Sequence, residues 1–336
     1  MNISKSHLLD GKTISITGSK SISNRLLILG KLFGDLKIEN LSNSQDTQLL
    51  QKALNEDSET VDIHHAGTAM RFLTSFYAIQ EGKKTILTGS ERMKQRPIKP
   101  LVDALCELGA EINYEKNDGY PPIRIKGKKI TKNQVTLQAN VSSQYISALL
   151  LIASKLENGI ELTLEGEITS IPYIQMTLAL LNEIGIKTQF EGNIIKVEPS
   201  SQPIAHSPKL IVESDWSSAS YHYSIVALSP VGTQITLSSY KSNSLQGDSE
   251  LANIYKSFGV ETTFDNNQIH LKKQSAIGSQ LSAISYGQSA FGNQPKAHSS
   301  QLTAHSSQPT AVSFDLTKTP DIAQTIAVTC FGLGIG

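Results

Sequence analysis

The segment LVDALCELGAEINYEKNDGYPPIRIKG, residues 101–127, decides the fold. Its apolar residues recur three and four apart up to Leu108, the period of an amphipathic helix. Gly109 supplies the left-handed stop that ends such a helix. Alternating residues on either side of the turn then predict two short strands. The same pattern returns in TLALLNEIGIKTQFEGNIIKVEP (177–199) and LANIYKSFGVETTFDNNQIHLKK (251–273). Gly185 and Gly259 stand where Gly109 does, with spacings of 76 and 74 residues. A period of that length marks internal repetition.

A second half-repeat interleaves with the first. HHAGTAMRFLTSFYAIQEGKKTILTG (64–89), VSSQYISALLLIASKLENGIELTLEG (141–166) and SDWSSASYHYSIVALSPVGTQITLSS (214–239) open on small polar residues. An apolar helix follows, a glycine closes it and a β-rich strand comes next. KSISNRLLILGKLFGDLKIENL (20–41) has the same form. The unit is therefore β-α-β-α-β-β, about 75 residues long, and the fold class is α/β. DLTKTPDIAQTIAVTCFGLGIG (315–336) supplies a strand, a polar opening and a helix where the other copies continue into a further strand. By repeat arithmetic roughly 70–90 residues are expected beyond it, so the C-terminal units are read as incomplete and the chain as truncated.

Residues 274–310 shift to Ser, Gln, Ala and Gly, with AHSSQ at Ala297 and again at Ala304. This predicts a low-complexity, disordered insertion. SSQPIAHSP (200–208) resembles it, and His206, His298 and His305 in these stretches read as solvated side chains rather than metal ligands.

At 336 residues the chain has room for about two domains. Its composition, 39% hydrophobic and 18% charged, fits a globular chain that buries a core. Thirty basic and thirty acidic side chains cancel, which argues against a general nucleic-acid or anionic-membrane binder but leaves room for a local basic pocket. Cys106 and Cys330 are too few for a disulfide framework or a zinc cluster. Both fall in apolar helical patterns, which predicts buried, inert thiols. MNISKSHLLDGKT has no apolar leader region, and no apolar run approaches the ~18 residues of a membrane span. The expected compartment is the cytoplasm.

The helix starts carry the chemistry. Lys20-Ser21, Ser142-Ser143-Gln144 and Ser217-Ser218 occupy equivalent places in the repeat. Free N–H groups and a positive dipole end suit phosphate there, the plain alternative being ordinary N-capping. GSKSISNR places Lys20, Ser23, Asn24 and Arg25 on the first turns of one helix, without the spacing of a P-loop. GSERMKQRPIKP gathers Arg92, Lys94, Arg96 and Lys99, which in a chain of zero net charge suggests an anion pocket or else a solvated basic loop. HHAGTAMR sets Gly67 and Thr68 before Arg71, whose guanidinium suits a carboxylate or phosphate. Asp215, Asp248 and Asp321 are the acidic candidates, each also readable as an N-cap.

Taken in order, GSKSISNR, AGTAMR, RMKQRPI, SSQYISALL, SIPYIQMT, ESDWSSASY, LQGD and TPDIAQT resemble the 3-phosphoshikimate 1-carboxyvinyltransferase family of enolpyruvyl transferases. The sister UDP-N-acetylglucosamine enolpyruvyl transferases share the fold but carry a reactive loop cysteine, a role Cys106 inside ALCELG does not fit. The resemblance implies a two-domain fold, an inside-out α/β barrel. One domain would be continuous near 20–235, and the other would join 1–19 to 236–336. It implies transfer of the enolpyruvyl group of phosphoenolpyruvate to the 5-hydroxyl of shikimate 3-phosphate, in the shikimate pathway of aromatic amino-acid biosynthesis. The alternatives are a truncated, inactive chain that only binds shikimate 3-phosphate and the sister sugar-nucleotide transferase.

By the same resemblance, Lys20 contacts both substrates. Ser21, Arg25, Ser142, Ser143, Ser170 and Tyr173 hold shikimate 3-phosphate, and Gln144 lies between the two ligands. Gly67 and Arg96 bind phosphoenolpyruvate, and Asp321 is the base on the 5-hydroxyl. Both substrates are polyanions, so cations and donors serve in place of a metal or cofactor, neither of which is expected. Nucleic acid and membrane are not expected partners, and the expected state is a monomer. In two respects the sequence departs from the family: His65 stands where the family has Asn, and the family's K-E-T-D-R motif does not occur in these residues.

Overall fold

A computed structural model describes residues 10–34, 36–168, 171–200, 209–274, 312–317 and 319–335. The expected insertion apart from Gln274, the three histidines read as solvated and Ser170 lie outside the described residues. Contacts group the chain into two compact units, Thr17–Asp215 and Met1–Ile16 with Trp216–Gly336.

Elements are numbered along the chain. The unit Thr17–Asp215 opens with α1 (Lys20–Phe33), β2 (Lys37–Glu39) and α2 (Gln45–Asn55). A full repeat follows: β3 (Thr60–Asp62), α3 (Gly67–Ala78), β4 (Lys84–Thr88), α4 (Lys99–Leu108), β5 (Glu111–Tyr114) and β6 (Ile123–Lys126). The next is β7 (Gln134–Gln138), α5 (Ser143–Ala153), β8 (Ile160–Glu165), α6 (Ile171–Glu183), β9 (Thr188–Glu191) and β10 (Ile194–Val197), and β11 (Lys209–Ile211) closes the unit.

The sheet orders are β3-β4-β6-β5 and β7-β8-β10-β9, one topology used twice. In each, the first two strands are parallel, with Thr60 opposite Ile86 and Gln134 opposite Glu161. A parallel pair requires a long crossover, which α3 and α5 provide. The last two strands fold back as antiparallel hairpins. Gly109 and Gly185 adopt φ of +112° and +86°, and Gly259 in the other unit +74°, the left-handed stops that the repeat predicts. A partial copy is assembled from two distant stretches, because β11 pairs in parallel with β2, Lys209 opposite Lys37.

Every residue of α3 is buried, as is α5 from Tyr145 to Ala153. A helix buried all round belongs in a core. The strands of β7 alternate exposed and buried positions, so each sheet keeps one face in solvent. Helices inside and sheets outside is the inside-out arrangement expected from the family resemblance.

The other unit repeats the topology with β1 (Lys12–Ile14), α7 (Trp216–Ala227), β12 (Gln234–Ser238), α8 (Leu251–Ile254), β13 (Val260–Asp265), β14 (Gln268–Lys273) and α9 (Ala323–Leu333). Its strand order is β1-β12-β14-β13. Its own core is built on Trp216, Tyr223, Tyr255 and Phe258.

The contact boundaries fall at 16/17 and 215/216, earlier than the expected 19/20 and 235/236. Trp216, Tyr223 and Ile235 pack in the core of the discontinuous unit. Ser19 N–H donates to Glu213 O and Asp215 N–H to Thr17 O, which stitches residues 17–19 to 213–215. Cys106 also departs from expectation, because it is exposed. The buried face of α4 is Leu101, Val102, Ala104, Leu105 and Leu108, which turns position 106 outward. Cys330 is half-buried, and partial desolvation holds both thiols above their ordinary value. No described helix is long and apolar enough to cross a membrane.

Candidate functional site

The site forms where helices of the unit Thr17–Asp215 begin. Because β3 and β4 are parallel, their carboxyl ends lie side by side, with Ile63 N–H donating to Thr88 O. The chain leaves β3 through His64, whose left-handed φ of +47° turns it back into α3. His64 N–H donates to Asp62 Oδ1, and Ser90 N–H donates to His64 O. The start of α3 is thereby fastened to the loop after β4.

That loop delivers Arg96. A 3₁₀ turn at Met93–Gln95 is started by Ser90, whose Oγ accepts from Met93 N–H, and Arg96 N–H donates to Met93 O. The half-buried Arg96 side chain lies directly against Gly67, in space a β-carbon would fill. A glycine at the first residue of α3 is what admits the guanidinium.

Of the basic cluster expected around this loop, Arg96 lies against Gly67. Lys94 pairs with Glu91 at 2.7 Å, and Lys99 with Asp103 and Asp118 at 3.5 and 3.3 Å. Lys94 and Lys99 are thus paired with acids of their own. Arg71 is buried, and its guanidinium donates to the carbonyls of Gly67 and Pro97, with the Asp46 carboxylate nearby.

Beside Arg96 lies a carboxylate that the motifs gave no reason to single out. Asp46, in the first turn of α2, accepts from Asn24 Nδ2 at 2.8 Å, and Thr68 lies close enough to favour its charged form. Desolvation raises its pKa above the ordinary aspartate range, while the nearby charges of Lys20 and Arg96 oppose that shift. Lys20, Thr68 and Arg96 thus surround one half-buried acid at the starts of α1, α2 and α3. The acid sits in SNSQDTQ, which reads as an ordinary helix start: Ser44 caps α2 by accepting from Thr47 N–H. His65, exposed at the same edge, sits 3.1 Å from Gln45 Oε1 through its Nε2.

At the start of α5, Ser142 is exposed and its Oγ accepts from Gln144 N–H at 3.4 Å, while Ser143 and Gln144 are half-buried. One residue further, Tyr145 reaches the loop of Arg96 by donating its hydroxyl to Pro97 O at 2.6 Å. Arg25 is buried and spends its donors inside the protein. Nε donates to Thr177 Oγ1, Nη1 to Ser21 O, and Nη2 to Ser147 Oγ and Tyr173 O. Its guanidinium also stacks on the rings of Phe72 and Tyr173, 5.5 and 5.9 Å from their centroids. Burial lowers its pKa to about 10, so the cation persists at neutral pH. Arg25 ties α1 to α5 and α6, and positions Ser21 and Tyr173 from beneath. Asp321 belongs to the other unit, exposed in the short turn Pro320–Ile322 that leads into α9.

Chemically, the unit Thr17–Asp215 presents an exposed lysine, a half-buried arginine and serine-bearing helix starts, which suit a phosphorylated, carboxylate-bearing ligand. Among its described residues, no group of three or more His, Cys, Asp or Glu side chains could hold a metal ion.

A family model for EPSP synthase (3-phosphoshikimate 1-carboxyvinyltransferase) matches residues 51–329. The 3-phosphoshikimate 1-carboxyvinyltransferase of Bacteroides fragilis is 44% identical over 325 residues, 96% of this chain and 70% of the relative. Those of Colwellia psychrerythraea and Shewanella pealeana are 34% and 32% identical, over 94% of this chain and 72% of each relative. An EPSP synthase structure from Acinetobacter baumannii superposes with a TM-score of 0.64 at 20% identity, covering 79% of this chain and 65% of that one. The chain therefore spans about 70% of the length of the curated relatives named here and just under two thirds of the solved structure.

Proposed function

The chain belongs to the EPSP synthase (3-phosphoshikimate 1-carboxyvinyltransferase) family, and from that premise we propose that it transfers the enolpyruvyl group of phosphoenolpyruvate to the 5-hydroxyl of shikimate 3-phosphate, releasing phosphate. The observation that carries this reading is the seat of Arg96 on Gly67 beside Lys20 and Asp46. It offers two cations and a helix start to one small polyanion.

The hydroxyl oxygen bonds to the carbon bearing the phosphate ester, and the methylene carbon gains a proton. The resulting adduct expels phosphate and returns a proton, which restores the double bond. Arg96 and Lys20 hold the phosphoenolpyruvate, with Gly67 giving close approach. Ser142, Ser143 and Gln144 receive shikimate 3-phosphate, aided by Ser21, Arg25 and Tyr173, with Arg25 also donating to the carbonyls of Ser21 and Tyr173. Ser170 joins them by family resemblance. Asp321 takes the hydroxyl proton as general base. The same reading makes the protein a cytoplasmic monomer.

A phosphate-release assay with both substrates, paired with calorimetry on each alone, tests the proposal. Release that requires both substrates and falls at least a hundredfold in Asp321→Asn, with shikimate 3-phosphate affinity kept, is the expected result. Saturable binding with no release would reduce the function to binding. No binding of either ligand at millimolar concentration would reject the reading.

A further inference from the structure

Arg71 lies one turn into α3 with 4% of its surface exposed, in a helix whose other side chains are otherwise uncharged. Its Nη1 donates to Gly67 O at 3.1 Å and its Nη2 to Pro97 O at 3.2 Å. Pro97 O also accepts from the Tyr145 hydroxyl at 2.6 Å. The Tyr145 ring faces the same guanidinium, 5.8 Å from its carbon. The two carbonyls bracket Arg96: one belongs to the glycine it lies against, the other to the residue that follows it. Arg71 Nε is buried with no partner among the described residues. A buried unpaired donor is costly, so the orientation that spans both carbonyls is kept at the expense of local satisfaction.

We propose that Arg71 and Tyr145 are positioning residues for Arg96, a forked cation and a phenol that together fix the loop carrying it onto the first residue of α3. The pair also ties that loop to the start of α5, since Tyr145 stands two residues after Ser143. A purely architectural arginine would support both ligands equally. A positioning pair acts on the ligand held by Arg96. The inference rests on the reading above, in which Arg96 takes phosphoenolpyruvate and Ser142–Gln144 take shikimate 3-phosphate.

The test titrates each of these two compounds separately into the whole chain by calorimetry, for the parent, Tyr145→Phe and Arg71→Lys, with thermal melts alongside. Tyr145→Phe removes one hydrogen bond and little volume, so phosphoenolpyruvate should bind about fivefold more weakly. Arg71→Lys keeps the charge but loses the planar fork, and should weaken it about tenfold. Shikimate 3-phosphate should change less than twofold in both. Unchanged phosphoenolpyruvate affinity in Tyr145→Phe, or an equal loss for both ligands, overturns the inference while the functional reading stands. A parent chain that binds neither ligand overturns both.

Discussion

The guanidinium of Arg96 occupies the space into which a side chain on Gly67 would project. The close contact is with the far end of a flexible side chain, not with backbone. Gly67→Ala should therefore fold and melt like the parent while pushing Arg96 off its seat. A charge-assisted hydrogen bond is worth about 1.5–3 kcal/mol, so phosphoenolpyruvate affinity should fall roughly 10- to 100-fold. A calorimetric titration showing parent-like affinity would separate Arg96 from that ligand.

Asp46 gives the site a pH lever. Desolvation raises its folded pKa above the unfolded value, against the pull of Lys20 and Arg96. Arg71 adds a third nearby cation. From about pH 4, the ordinary aspartate range, up to the raised folded value, the folded state binds more protons than the unfolded one. Its contribution to stability is thus favourable below that window and is lost as pH rises through it. Asp46→Asn should flatten this part of the stability profile. An anion on Lys20 and Arg96 offsets the charges that oppose the shift, so binding should draw a further proton onto Asp46. Calorimetry of phosphoenolpyruvate binding at the upper end of the window, in buffers of different ionisation enthalpy, should show proton uptake that Asp46→Asn abolishes. Heats independent of buffer in the parent would refute the coupling.

Arg25 should behave as a structural tie. Arg25→Ala removes four hydrogen bonds from a buried cation, although Thr177 Oγ1 still donates to Ser147 Oγ at 3.0 Å. The expected loss is about 2–4 kcal/mol in urea denaturation. Arg25→Lys should recover only part of it, because an ammonium cannot reproduce the fork. A variant as stable as the parent would show that these bonds carry no net energy.

Much of the fold was legible because it is periodic. Helix and strand spacings, and the three glycine stops, are local properties that the chain repeats, and the sheets reuse one topology accordingly. The site was legible only where a motif marks a helix start. Asp46 escaped because its segment looks like any capped helix. That Arg71 donates to the carbonyl of Pro97 was not legible, because that partner lies 26 residues away in the sequence. The basic loop looked like one cluster because Asp118, which claims Lys99, lies 19 residues further along. Cys106 looked buried because its apolar neighbours conceal which face of α4 it occupies.

The split between the two units makes the sharpest test of the architecture. A fragment of residues 17–215 keeps both full sheets, the β2–β11 pair and the bonds that join Thr17 and Ser19 to Asp215 and Glu213. It also keeps Lys20, Arg96 and Ser142–Gln144. Residues 20–235 instead lose those bonds and carry Trp216 and Tyr223 without the core that buries them, and they cut into β12. Exposed aromatic surface of that kind drives association. The shorter fragment should run as a monomer with a cooperative melt and bind shikimate 3-phosphate within about tenfold of the whole chain, a difference no larger than one hydrogen bond to a charged group. The longer one should aggregate during size-exclusion chromatography. If 20–235 proves the better-behaved piece, the crossing does not lie at Asp215.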